Sequence, residues 1–398
     1  MVRPSNALDV GRGIAIVAVI YGHALSPWVF SESGNFSEAA FLQWKFGAAF
    51  LMPFFFFLSG AGWREEKSFA VTGRQSLTLV FIAVLASAAY DLARLTASSA
   101  GLAAQLGGEN LSLGAFFAGL VRTILVGDYY SLSPLWFIVT LAIVRLLAAG
   151  LVRASLAVST LCAFLAVAVS VWAVELDWRN VYQIKPLGIA FLFFLAGRLS
   201  RPLLQQLAAS ATQTGLVGVL GLTVLALTFH LNEGCRWAVF AQCGEEWLQG
   251  RFGVAFIHGQ IGNIPLFTLS AFGGVAFASS LAILLARHGG FIGRKLDAWG
   301  GNSLNLLIVN AFFLHVGNVF VDRWAAPAFA ADNVVFFAAL FMLTLCANLI
   351  AVRLMERPLR WLHRCALSAA RGAIAAAQAA PAALAWARPS DRVSQQND

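Results

Sequence analysis

Residues 10–30 read VGRGIAIVAVIYGHALSPWVF, a stretch that is apolar and long enough to cross a bilayer as a helix. It nevertheless contains two ionisable side chains, Arg12 and His23. Eleven helical residues return to within roughly 20° of the starting face, about 16 Å further along, so the two share one stripe. Ionisable groups at membrane depth are costly and usually face a polar cavity, which makes the pair a hypothetical functional site. The alternative is a histidine bonded to a neighbouring helix and an arginine that snorkels to the headgroups.

The composition of the whole chain indicates an integral membrane protein. Of its 398 residues, 59% are hydrophobic and 12% are charged, whereas soluble domains have about 25% charged residues. The net charge of +8 does not indicate a nucleic-acid partner, because the basic residues lie in short loops between apolar segments. No cluster of cysteine and histidine has the spacing of metal ligands, so we expect no metal.

The hydropathy pattern predicts an all-α protein with about ten transmembrane helices in a single bundle, since only helices and closed barrels satisfy the backbone in lipid. Residues 111–126 are apolar but short, and they are interpreted as an interfacial or re-entrant helix. Basic residues concentrate in alternate loops, which predicts that both termini are cytoplasmic. The predicted spans are 10–30, 41–62, 75–96, 134–152, 155–174, 184–199, 213–231, 263–286, 303–321 and 333–352.

Two further features concern the loops and the C-terminal end. Cys235 and Cys243 fall in the same predicted outer loop, where they either form a disulfide or remain two unpaired thiols. After the last span, residues 365–398 are first rich in alanine and then polar. We expect this segment to be a partly disordered cytoplasmic tail that follows a transmembrane domain of residues 1–364.

Several short motifs occur in a fixed order along the chain, and together they resemble the acyltransferase 3 family of polytopic membrane O-acyltransferases. The closest likeness is to its fucose 4-O-acetylase-like branch. One departure is that the family often ends the fifth motif in a histidine, where this chain has Asn310. The motifs are LDVGRGIAIVAVIYGHA (8–24), MPFFFFLSG (52–60), PLWFIVTL (134–141), FFLAGRL (193–199), GGNSLNLLIVN (300–310) and ERPL (356–359).

The resemblance implies a multi-pass enzyme of the bacterial inner membrane. It would transfer an acetyl or other acyl group from acetyl-CoA to a hydroxyl of a sugar, a glycan or a lipid-linked glycan precursor. The resemblance implies that acetyl-CoA is the acyl donor and that the enzyme has no tightly bound cofactor. It also implies that His23 is the catalytic residue and that Arg12 helps to bind the donor. A histidine titrates near neutral pH and suits a general base for a hydroxyl.

Other residues are assigned supporting roles on the same basis. Phosphates of coenzyme A favour arginine and lysine, so the donor-binding set is extended beyond Arg12 to three further basic residues. A developing oxyanion needs hydrogen-bond donors, which four polar side chains near the predicted site are expected to supply. The added basic residues are Arg64, Lys67 and Arg74, and the polar residues are Ser59, Asn302, Ser303 and Asn310.

Two other functions remain open from the sequence. A transporter of a polar solute or glycan precursor would also place Arg12, His23 and Asp91 along a polar path through the bundle. A non-catalytic membrane scaffold is the third hypothesis. Dependence on acetyl-CoA distinguishes the enzyme from both, because neither transport nor scaffolding consumes an acyl donor.

Overall fold

A computed structural model describes residues 6–30, 36–63, 68–102, 110–127, 132–235, 251–320 and 334–386. Within these ranges the chain is helical and forms no β-strand, only an isolated bridge between Ala255 and Gln260. The prediction of an all-α fold is therefore confirmed. The helices are α1 (Ala7–Val29), α2 (Glu38–Ala48), α3 (Leu51–Ala61), α4 (Phe69–Ser99), α5 (Leu113–Leu125), α6 (Trp136–Gly150), α7 (Leu156–Glu175), α8 (Ile184–Leu199), α9 (Arg201–Ala209), α10 (Ala211–Thr228), α11 (Ile264–His288), α12 (Gly290–Gly301), α13 (Ser303–Phe320), α14 (Val334–Leu354) and α15 (Glu356–Trp386).

The helices are those of a polytopic membrane protein. In the described part of the chain eight helical segments are long and apolar enough to span a bilayer, and α8 with α9 makes a ninth if that bent pair counts as one span. The predicted span 303–321 coincides with α13, which is apolar but shorter over its described length. The apolar segment 111–126 forms α5, whose 13 residues cover only about 20 Å. The side of the membrane on which the termini lie stays a prediction.

Polar side chains define where many of the helices begin. The side-chain oxygen of Asn6 accepts a hydrogen bond from the backbone N–H of Leu8 at the start of α1. Ser68, Ser155 and Asn263 cap α4, α7 and α11 in the same manner. Such caps satisfy backbone donors that the first helical turn leaves free. The cap at Asn6 thus fixes the residue at which α1 begins. It thereby also fixes how far along the helix Arg12 and His23 lie.

Glycines bring α1 close to α12 and α3 close to α8. A Cβ on Gly13 would collide with the carbonyl of Leu296, and one on Gly300 would collide with the carbonyl of Asp9. Gly60 meets the backbone of α8 in the same way. Small residues allow this close approach of helices in membranes. These contacts hold α1 and α3 against fixed partners and so position the side chains that face the middle of the bundle.

The four consecutive phenylalanines of α3 form the centre of the core. Phe54 and Phe56 are fully buried, and Phe55 and Phe57 are almost so. The ring of Phe56 lies 5.0 Å, between centroids, from that of Phe137 in α6. Residues 54–57 therefore pack helices together. The same helix presents Ser59 to a cavity, so the motif contributes to both the core and the site.

At its C-terminal end the chain continues as α15, which runs without a break through the predicted domain boundary at 364/365. Its Leu359, Leu362, Ala366 and Ala370 are buried, whereas its arginines are exposed. Residues 387–398 lie outside the described residues. Cys235 is disulfide-bonded, and Cys243, the partner considered from the sequence, also lies outside them.

Candidate active site

A cavity of about 350 Å³, here called the arginine cavity, lies beside α1. Both Arg12 and His23 line it, as their spacing of eleven residues predicts. The side chain of Arg12 is 32% exposed, and its Nη1 lies 2.5 Å from Oδ1 of Asp9. Neither residue is therefore pressed against lipid alone. The arginine cavity joins the level of His23 to the level of Arg12, near the N-terminal end of α1.

His23 is held by a residue from a distant part of the chain. Its Nδ1 lies 2.5 Å from Oδ1 of Asn310, a residue of α13 that is only 1% exposed. An amide oxygen accepts hydrogen bonds and does not donate them, so Nδ1 carries the proton in this contact. The lone pair of the imidazole then resides on Nε2. A neutral histidine with a free Nε2 is the form that can accept a proton.

A second and larger cavity of about 820 Å³, here called the wide cavity, lies on the other side of His23. Tyr21, Gln43, Ser133 and His258 supply polar groups to its lining. The hydroxyl of Tyr21 donates a hydrogen bond to Oε1 of Gln43. The wide cavity extends from His23 towards the C-terminal end of α1, where Phe30 also lines it.

The two cavities meet at a common wall. Five residues line both of them, and His23 is the titratable one: Val19, His23, Met52, Pro134 and Trp136. Trp136 opens α6, and Met52 lies in the first turn of α3. A group bound in either cavity can therefore approach the same imidazole from opposite directions.

The polar residues expected to support His23 lie in three different places. Ser59 and Ser303 line the arginine cavity, together with Gly300 and Gly301 at the end of α12. Asn310 contacts His23 directly. Asn302 is absent from the lining of both cavities, and its Oδ1 accepts a hydrogen bond of 2.6 Å from Nδ2 of Asn305.

The basic residues expected to bind a donor are also placed differently from one another. Arg12 lines the arginine cavity. Arg74 is exposed on α4, and the lining of that cavity does not include it. Arg64 and Lys67 lie outside the described residues. The structure therefore brings together Arg12, His23, Ser59 and Ser303, and it leaves Arg74 apart from them.

Sequence reasoning missed Arg145, which lines the arginine cavity from α6. It lies inside the predicted span 134–152, nine positions after Trp136. Its buried Nε has no hydrogen-bond partner. The charge is close enough to interact electrostatically with Arg12. An arginine within a span is the same signal that identified Arg12, and it was available in the sequence.

A comparison with protein families assigns this arrangement to an enzyme class. The family model described as "Acyltransferase domain" (Acyl_transf_3) matches residues 5–353 of the chain. The chain belongs to the acyltransferase 3 family. Searches of curated proteins and of solved structures find no significant match. This acyltransferase is thus a multi-pass membrane enzyme that moves an acyl group between a donor and an acceptor.

The match spans all the elements that form the site of the acyltransferase. It begins before α1 and ends within α14, so it includes Arg12, His23, Arg145 and Asn310. Among the described residues no group of three or more His, Cys, Asp or Glu side chains is arranged to hold a metal ion. The titratable side chains that line the arginine cavity are an imidazole and two guanidiniums.

Proposed function

We propose that this acyltransferase transfers an acetyl group from acetyl-CoA to a hydroxyl of a sugar, a glycan or a lipid-linked glycan precursor in the bacterial inner membrane. The fucose 4-O-acetylase-like branch is the part of the family that its motifs resemble. The observation that carries the proposal is the position of His23 in the wall shared by two cavities. The family match favours an enzyme over the transporter that also fits the sequence.

The arginine cavity suits the acyl donor. Coenzyme A is polyanionic, and guanidinium groups bind phosphate with charge-assisted hydrogen bonds. Arg12 lies at the far end of this cavity from His23, at a separation of about 16 Å along α1. Apolar residues such as Ile16, Phe55 and Leu304 line the space between them. An uncharged thioester arm fits such a space, with its phosphates towards the arginine end.

The wide cavity suits the acceptor. Its volume of about 820 Å³ is in the range of cavities that hold small organic ligands. Gln43, Tyr21 and His258 offer hydrogen-bonding groups, and the rings of Trp44 and Trp136 offer apolar surfaces. Sugar rings present both hydroxyls and apolar C–H faces, so they match this combination. If the positive-inside prediction holds, the arginine cavity faces the cytoplasm and the wide cavity faces the opposite side.

The chemistry at His23 follows from its contact with Asn310. Nε2 accepts the proton of the acceptor hydroxyl while the hydroxyl oxygen bonds to the carbonyl carbon of the thioester. The carbon–sulfur bond then breaks, and the proton held on Nε2 passes to the departing sulfur. Ser59 and Ser303 line the donor side of His23 and are the hydrogen-bond donors assigned to the developing oxyanion.

The test uses purified protein in lipid nanodiscs with radiolabelled acetyl-CoA and a panel of glycan acceptors. We expect donor-dependent labelling of an acceptor, and we expect His23→Ala to abolish it. His288→Ala is the matched control, because His288 is exposed at the end of α11 and lines neither cavity. Full transfer by His23→Ala overturns the role of His23. Transfer from another acyl thioester but not from acetyl-CoA overturns the assignment of acetyl-CoA as the donor.

The acceptor can be identified independently in cells. Mass spectrometry of surface glycans from strains with and without the gene is expected to reveal the loss of one acetyl increment per modified sugar. Restoration by the wild-type gene, but not by the His23→Ala gene, connects that loss to the site. Solute uptake without any acyl donor would instead support a transporter.

A further inference from the structure

Arg145 is a buried cation for which the described part of the chain supplies no counter-charge. It lies within α6, five residues before the last residue of that helix, and its Nε is buried without a hydrogen-bond partner. The ion pairs within the described ranges include Arg12 with Asp9 and Arg94 with Asp91, but none involves Arg145. A guanidinium without a partner in a low-dielectric environment is strongly destabilising. A buried charge of this kind is expected where it binds a ligand.

The residues around Arg145 indicate what that partner is. It shares the arginine cavity with Arg12, and no aspartate or glutamate is among the residues described as lining this cavity. Asp9 already pairs with Arg12. Two guanidiniums therefore face a space of about 350 Å³, and the carboxylate of Asp9 is paired with one of them, Arg12. This excess of positive charge favours an anionic ligand and disfavours a neutral one.

The distance of Arg145 from the level of His23 indicates how far the negative charge of the ligand lies from its reactive end. Trp136, which lines both cavities beside His23, precedes Arg145 by nine helical positions, or about 14 Å along α6. Arg12 lies about 16 Å from His23 along α1. The two guanidiniums are thus at a similar distance along their helices from the level of the imidazole, and both line one cavity. A ligand whose reactive end reaches His23 therefore carries its anionic group about 14 to 16 Å away from that end.

We infer that Arg145 is a second phosphate-binding residue of the arginine cavity, and that it holds, with Arg12, the phosphate at the base of the donor's pantetheine arm. This inference rests on the proposed function, because it takes the donor to be a coenzyme A thioester. Arg145 is a binding residue in this scheme. It does not touch the reacting carbonyl, since it lies at the far end of the cavity from His23.

The test compares ligands that differ in this phosphate. Binding of coenzyme A, 4′-phosphopantetheine and pantetheine is measured calorimetrically in nanodiscs of zwitterionic lipid for wild type, Arg145→Gln and Arg145→Lys. A hydrogen-bonded charge contributes enough that Arg145→Gln is expected to weaken coenzyme A and phosphopantetheine binding by about tenfold to a hundredfold. Pantetheine binding is expected to change less than about threefold, because it lacks the phosphate. Arg145→Lys is expected to retain part of the affinity.

Controls separate this contact from general effects. Arg153→Gln removes an exposed arginine just beyond the same helix and is expected to leave all three affinities unchanged. Thermal unfolding verifies that Arg145→Gln is folded. Removal of an unpaired buried charge is expected to preserve or raise stability. At saturating donor, kcat of Arg145→Gln is expected to remain within about threefold of wild type, because the effect is on binding.

Two outcomes would overturn the inference. An equal loss of pantetheine and phosphopantetheine affinity in Arg145→Gln would show that the phosphate is not the partner. Unchanged coenzyme A affinity, with loss of anionic-lipid binding to the variant, would show that the phosphate belongs to a lipid headgroup. Failure of the proposed function is distinguishable, because wild type would then bind none of the three pantetheine compounds.

Discussion

Asn310 holds His23 across the interface between α13 and α1, with 2.5 Å between Oδ1 of the amide and Nδ1 of the imidazole. The two residues are 287 positions apart in the chain. This contact orients the ring so that Nε2 remains available to the wall between the two cavities. Histidines in catalytic sites commonly depend on such a partner for their tautomer.

Substitution of Asn310 is expected to impair the chemical step. Asn310→Ala removes the acceptor for the Nδ1 proton, so the imidazole is no longer held in one tautomer. We expect kcat to fall by about tenfold or more with little change in the donor KM, since correct proton transfer contributes about 10²–10⁴-fold. Steady-state kinetics with both substrates varied measures this. Asn348→Ala, which alters a buried asparagine of α14 outside both cavities, is the control. Equal losses in both variants would contradict the assigned role.

A substitution that fills one cavity is expected to weaken the binding of one substrate and to leave the binding of the other intact. Leu304 lines the arginine cavity and Ala48 lines the wide cavity, and neither lines the other. Leu304→Trp is expected to weaken coenzyme A binding by at least about tenfold, because a bulkier ring occupies space that the ligand needs. Ala48→Trp is expected to leave that binding intact while the acceptor KM rises. Calorimetry and kinetics on the same preparations test this, and the reverse pattern would exchange the two assignments.

Adding one methyl group at a helix crossing is expected to destabilise the frame around the site. A Cβ on Gly300 would collide with the carbonyl of Asp9, so Gly300→Ala forces α1 and α12 apart. Overpacking of this kind costs about 1–3 kcal/mol. We expect a lower melting temperature in detergent, read by intrinsic fluorescence. Gly215→Ala, whose new methyl group meets nothing within 4 Å, is expected to be neutral or slightly stabilising.

Stability is expected to fall in mild acid through His363 of α15. Burial lowers the pKa of His363 below its ordinary value of 6.5, and its Nε2 donates to Oδ1 of Asn305 at 2.9 Å. Because the unfolded chain then takes up a proton more readily than the folded one, the free energy of unfolding decreases as pH falls below about 6.5. His363→Gln is expected to flatten this dependence, as measured by thermal unfolding between pH 5 and pH 8, roughly the range over which histidines titrate. The exposed His288→Gln is expected not to. An unchanged slope in His363→Gln would assign the acid sensitivity elsewhere.

Much of the fold could be predicted because lipid leaves few alternatives. Each predicted span coincides with described helix, since an apolar stretch of that length has to satisfy its own backbone. The shared face of Arg12 and His23 likewise follows from helical periodicity alone.

What could not be predicted depends on which helices are neighbours. The contact of Asn310 with His23 requires α13 to pack on α1, and nothing in the local sequence of either helix specifies that. Lys45 is another case. It is 5% exposed in α2 and forms an ion pair of 2.9 Å with Glu233, a loop residue far along the chain. Arg145 is different, because its charge lies within the predicted span 134–152 and is visible in the sequence.

The wall between the cavities has an electrical consequence. Besides His23 it consists of Val19, Met52, Pro134 and Trp136, which offer a hydrated cation no ligand. A charge forced into such surroundings pays a large desolvation cost. Passage of a hydrated sodium ion from one cavity to the other is therefore disfavoured, so donor and acceptor can occupy their cavities without opening a path for that ion through the protein.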